Sequence, residues 1–144
     1  MTPIGRASLA SLTLLLMSVA CQSGPRDLSM KLMTENIELH ILPDPVPPYA
    51  REPIKYKVVV RDRETGEPIE AGRGQIFATS EDGINAYDPL VKGEELGTYY
   101  ATMHFITAGQ WAMAVRFQRD TTRPLERVDW MQQIFPARGE VPIK

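Results

Sequence analysis

Chemistry has little to work with in this chain. One cysteine, two histidines and a net charge of -2 are spread over 144 residues. A single cysteine rules out an internal disulfide and every metal motif built on a thiolate pair. The near balance of charge gives no general attraction to nucleic acid. No apolar run reaches the roughly 20 residues of a membrane-spanning helix. No stretch after residue 20 carries the apolar period of a long amphipathic helix. Neither histidine sits beside a nucleophile motif, so a Ser-His-Asp arrangement is not supported. The carboxylate pairs Glu81-Asp82 and Glu94-Glu95 are sequential neighbours, whereas glycosidase chemistry needs two carboxyls facing each other across a cleft. These gaps predict a protein that is not an enzyme.

What is present points to strands. Twelve prolines and ten glycines disfavour long helices, and 43% hydrophobic residues suffice for one core. The organising stretch is 97–117. Tyr99, Ala101, Met103 and Phe105 alternate on one arm, and Trp111, Met113, Val115 and Phe117 on the other. Period-two alternation marks strands with one face in a core, so the sequence predicts a hairpin punctuated by Gly97 and Gly109. Trp111 is the expected core tryptophan. Upstream, Ile37, Leu39 and Ile41 define a first strand, and Ile54, Tyr56, Val58 and Val60 a second. Between them, four prolines in residues 43–48 suggest a stiff crossing between sheets or along an edge. Residues 62–68 form a polar turn. Gly72-Arg73-Gly74 suggests a bulge, Gln75 to Thr79 a strand, and Ser80 to Leu96 a long acidic loop. Leu125 to Phe135 is the last strand. The expectation is an all-β, antiparallel, immunoglobulin-like β-sandwich of about seven strands.

The N-terminus predicts export. Arg6 precedes an apolar run from Leu9 to Ala20 that suits a secretory signal peptide. Ser18-Val19-Ala20-Cys21 resembles a bacterial lipoprotein signal, in which the cysteine becomes the acylated first residue. An ordinary cleaved signal peptide, with Cys21 nearby by chance, is the alternative. The resemblance implies a signal peptide over 1–20 and a membrane anchor at Cys21. Gln22 after the cysteine, by the same resemblance, implies the periplasmic face of the outer membrane in the cell envelope. Residues 21–35 read as a flexible tether, 36–136 as the sandwich and 137–144 as a frayed tail.

The pattern Gly97-x-Tyr99-x-Ala101-x-Met103-x-Phe105, then Gly109-x-Trp111-x-Met113-x-Val115, resembles the C-terminal half of YtkA-like and FixH-like domains. Val58-Val59-Val60-Arg61-Asp62 followed by Thr65-Gly66-Glu67-Pro68-Ile69 fits the same family. The resemblance covers Ile37 to Phe117. It implies a small immunoglobulin-like sandwich in a bacterial envelope protein. FixH-like proteins are linked to assembly of a copper-containing oxidase, so the resemblance also implies a copper-binding or copper-delivery lipoprotein as an alternative. Loop 80–96 lacks the methionine that family members often carry there.

Two sets of candidate residues follow. For a metal, His40 and His104 both face outward on their strands and would form a pair if those strands were neighbours. Met30 and Met33 would add soft copper ligands, against the simpler reading that they belong to the tether. For a protein partner, Trp130 lies among arginines, with Arg127 beside it and Tyr87 in the long loop, which is the composition of an interface anchor. A second core aromatic is the competing reading of Trp130. The leading expectation is a non-enzymatic, lipid-anchored accessory module that binds another envelope protein, with no cofactor required.

Overall fold

A computed structural model describes residues 28–139. The signal peptide, Cys21 and residues 140–144 of the tail lie outside the described residues. Among the described residues there are nine strands and no helix. They are β1 (Met30–Met33), β2 (Ile37–Asp44), β3 (Pro53–Asp62), β4 (Arg73–Ser80), β5 (Asn85–Pro89), β6 (Val91–Lys92), β7 (Thr98–His104), β8 (Gly109–Gln118) and β9 (Glu126–Ile134). One sheet runs β1-β2-β3-β7-β6 and the other β5-β4-β8-β9. All pairings between these strands are antiparallel. Without β1, this is the immunoglobulin arrangement of an ABED sheet on a C′CFG sheet.

The alternation in the sequence becomes the inner faces. Ile37, Leu39 and Ile41 of β2 and Ile54, Tyr56, Val58 and Val60 of β3 are buried from one side. Ile76 of β4 and Trp111, Met113, Val115 and Phe117 of β8 meet them from the other. Each fully buried large aliphatic contributes about 1.5–3 kcal/mol relative to exposure.

The two arms of 97–117 do not pair with each other. β7 pairs with β3 and β6, whereas β8 pairs with β4 and β9. Both arms turn apolar faces inward, so they meet face to face across the core, and residues 105–108 form an arch between sheets. Phe105 and Trp111 close that arch edge to face at 4.9 Å.

Four other expectations change. Met30–Met33 is not tether but β1, antiparallel to β2 with Met30 opposite Ile41. Met30 and Leu32 pack against the core, which a short, weakly alternating segment does not announce. Residues 80–96 contain β5 and β6. Pro43 lies inside β2, opposite Tyr56, and the proline segment returns the chain to the same sheet. Its far end touches the other sheet: Ala50 N–H donates to the Phe135 carbonyl at 2.8 Å, and Phe135 N–H to Pro48 at 2.9 Å. Arg138 is not frayed either, since it pairs with Glu52 at 2.7 Å.

Two core tyrosines give opposite expectations. The Tyr99 hydroxyl donates to the Ile69 carbonyl at 2.8 Å and accepts from Gly72 N–H at 3.2 Å. Tyr99→Phe leaves both groups unpaired and is expected to cost about 1–2 kcal/mol. The Tyr56 hydroxyl is buried with no hydrogen-bond partner among the described residues. Tyr56→Phe is expected to be neutral or to stabilise by up to about 1 kcal/mol. Burial pushes the Tyr56 phenol well above its usual 10.0. The folded state therefore holds that proton while the unfolded chain releases it, so this contribution to stability is intact below pH 10.0 and falls as pH rises beyond it. Urea titrations of both variants at neutral and alkaline pH check the signs; a destabilised Tyr56→Phe would mean its hydroxyl has a partner.

Candidate functional site

The candidate residues separate by face. Trp130 points inward: it shares the inner side of β9 with Val128 and Ile134 and packs against the core. Its indole N–H donates to Gln132 at 3.4 Å. Register separates it from Arg127 and Asp129, which occupy the opposite side of the same strand, so it does not share their surface. Arg127 and Tyr87, by contrast, come together on the outer face of β5-β4-β8-β9.

That face is built in cross-strand rows. Tyr87, Phe77, Ala114 and Asp129 form one, and Pro89, Gln75, Arg116 and Arg127 the next. Asn85, Thr79, Ala112 and Met131 form a third. Phe77 was not a sequence candidate, nor was Arg116. Their shared role depends on the β4–β8–β9 register, which has no local signal. The Arg116 and Arg127 guanidiniums lie over the Phe77 ring at 4.7 and 5.0 Å. Tyr87, 71% exposed, extends the aromatic ridge to the sheet edge. β5 is held in place from its inner side, where Asp88 accepts from the Thr102 backbone N–H at 2.8 Å. Thr79 Oγ1 donates to Asn85 Oδ1 at 2.8 Å on the outer side. A depression of about 340 Å³ lies between Phe77, Asn85, Tyr87 and Arg116.

The electrostatics are unbalanced. Two guanidiniums occupy directly opposed positions, an arrangement that is unfavourable on its own. Asp129 takes up one of them: Arg127 Nε donates to its carboxylate at 2.9 Å. Arg116 is exposed and makes no side-chain hydrogen bond among the described residues. This surface can stack on a planar or apolar group and bind a carboxylate beside it.

The metal candidates do not converge. β3 lies between β2 and β7. His40 is opposite Val59 and His104 opposite Pro53. That places them six residues apart along β3, about 20 Å. His40 Nε2 instead contacts Glu38 at 2.7 Å. Met30 faces the core while Met33 is exposed, so the methionines are on opposite sides of β1. Among the described residues no group of three or more His, Cys, Asp or Glu side chains is positioned to hold a metal.

A polar hollow of about 290 Å³ beside Asp62, Arg63, Arg119 and Arg123 is accounted for by a turn. Asp62 accepts from Thr65 and Glu64 backbone N–H groups, both at 2.9 Å, and pairs with Arg119. The Thr65 N–H and the Arg119 guanidinium hold its carboxyl far below the usual carboxylate range. It stays ionised at working pH and closes the turn after β3.

No protein-family model matches the sequence, and no curated protein matches it. Among solved structures the chain is similar to the crystal structure of a DUF4426 family protein from Pseudomonas aeruginosa PAO1, with 14% identity. The likeness covers 76% of this chain and 99% of that one, with a TM-score of 0.60. At that identity it shows a shared fold, a small β-rich domain, and carries no activity across.

Proposed function

We propose that this is a non-enzymatic, lipid-anchored accessory module that holds another envelope protein on the outer face of β5-β4-β8-β9. The observation that carries the reading is the pair of arginines stacked on Phe77, with Arg116 lacking a carboxylate. Arg73, Arg116 and Arg127 on this face are opposed by Asp129 alone among its outward-facing strand residues. The partner it suits is an acidic protein segment with an aromatic or aliphatic residue for the Phe77–Tyr87 ridge. Acylation at Cys21 would keep the module at the periplasmic face of the outer membrane. The YtkA-like pattern of the central strands supports a role in the bacterial envelope. Copper delivery, the alternative that the same resemblance raises, has no convergent ligand set among the described residues.

The test is cross-linked recovery of partners by the tagged full-length chain from its native envelope, compared with Arg116→Glu. Arg116 is exposed, so the variant should keep its thermal midpoint. Recovery of the specific partner should fall at least about tenfold, as for a residue worth roughly 1.4 kcal/mol or more. Equal recovery by both chains would remove this face from the interface.

A further inference from the structure

The other sheet has an outer face of different character. Leu42, Lys57, Tyr100 and Val91 form one row across β2, β3, β7 and β6. Val91 is 62% exposed, Leu28 62% and Val46 50%. Leu28, Leu42, Pro43, Val46, Lys55 and Tyr100 surround a depression of about 400 Å³. The Lys55 ammonium lies 4.3 Å from the centre of the Tyr100 ring. Lys57 pairs with Glu95 at 2.7 Å, and Asp44 stands opposite Lys55.

Exposed aliphatics flanked by tyrosine and lysine are the composition of a surface that rests in the headgroup zone of a bilayer. Position supports the same occupant. Leu28 belongs to this patch and follows Cys21 by seven residues, a span of at most about 25 Å. An acyl anchor at Cys21 would hold the patch at an effective concentration on the order of millimolar, so even a weak surface would be engaged.

We infer that the outer face of the five-stranded sheet, around Leu28, Leu42, Val46, Tyr100 and Val91, lies against the phospholipid bilayer. This rests on the anchoring at Cys21 proposed above. The domain then stands with one sheet on the lipid and the Phe77 face turned away from it. Lys57 is paired with Glu95 and Lys55 lies over the Tyr100 ring, so on this proposal apolar insertion, more than headgroup charge, sets the contact. The contact therefore persists in about 0.5 M salt, where the screening length is only about 4 Å.

The test uses spin labels on the full chain, produced in a bacterial host that acylates it and reconstituted in vesicles of phosphatidylethanolamine and phosphatidylglycerol. Acylation leaves no free thiol on Cys21, so Leu28→Cys, Val91→Cys and Met131→Cys each give one labelled site. Collision with oxygen relative to a water-soluble nickel chelate reports depth. Relative to the same labels on unanchored Cys21→Ser chains, that ratio should rise about threefold or more for Leu28 and Val91, for a depth of about 5–10 Å. Met131, 61% exposed on the opposite sheet, should not change. An acylated chain with all three labels equally open to the chelate overturns the face and leaves the anchor standing. Dipolar broadening between labels at Val91 means that a second copy covers the face, and overturns it too. An intact mass without acyl chains removes the anchor and the inference together.

Discussion

Trp111→Ala is expected to lower the unfolding free energy by about 3–5 kcal/mol. Trp111 is 1% exposed, and it sits where the chain passes from one sheet to the other. Its ring meets Phe105 edge to face, and its indole N–H donates to the Thr107 carbonyl at 3.2 Å within the arch. Truncation removes the largest side chain of the core, orphans a backbone acceptor and loosens the turn that sets two strands face to face. Against a total of about 5–15 kcal/mol for an ordinary domain, the loss is a large fraction. Urea unfolding followed by circular dichroism measures it. A loss below about 1 kcal/mol would show that the arch does not depend on the Phe105–Trp111 contact.

Gly97→Ala should cost about 2–5 kcal/mol. Gly97 has φ of 64°, where a side chain adds about 1–2 kcal/mol of strain. A Cβ there would also lie 2.7 Å from the Val60 carbonyl oxygen and 2.8 Å from Pro68 Cβ. The backbone cannot retreat, because Val60 N–H donates to the Gly97 carbonyl at 2.7 Å and Gly97 N–H donates to Glu70. The overpacking adds about 1–3 kcal/mol. Gly66 supplies the control: its φ is 76°, but nothing lies within 4 Å of the added carbon. Gly66→Ala should therefore lose only the strain part. Equal losses at the two sites would mean that the Val60–Pro68 contact yields without cost.

Alternation over Ile37–Ile41, Ile54–Val60 and Trp111–Phe117 is a local consequence of one-sided burial, and these inner faces are readable from the sequence. Which strands are neighbours is not local. The arms of 97–117 have the same pattern whether they pair edge to edge or pack face to face, so a hairpin and an arch look alike. β5 was hidden because Asn85, Tyr87 and Pro89 are exposed at a sheet edge, where no apolar period is required. At the candidate site, Arg127 and Tyr87 were visible as an arginine and an aromatic without a core position. Phe77 and Arg116 were not, since their neighbourhood arises only when β4, β8 and β9 align. Trp130 went the other way: chemical type suggested an anchor, while its place in the period-two pattern, with Val128 and Ile134, puts it inside.

β1 has a mechanical consequence. It is a four-residue edge strand hydrogen-bonded in its sheet to β2 alone, with Met30 and Leu32 resting against the core, and it is the first described strand after the proposed anchor. Once the sheet face lifts from the lipid, a pull between membrane and partner loads this strand before any other. The pull peels it from β2 one residue at a time, because the load arrives at its outer end. Peeling stops at Thr34 and Asn36, where Glu126 of β9 holds the Thr34 hydroxyl and accepts from the Asn36 backbone at 3.1 Å. The six residues from Leu28 to Met33 would then pay out about 20 Å of extra chain. The core of the sandwich would not open, so β1 would serve as a reversible length reserve between the domain and the lipid.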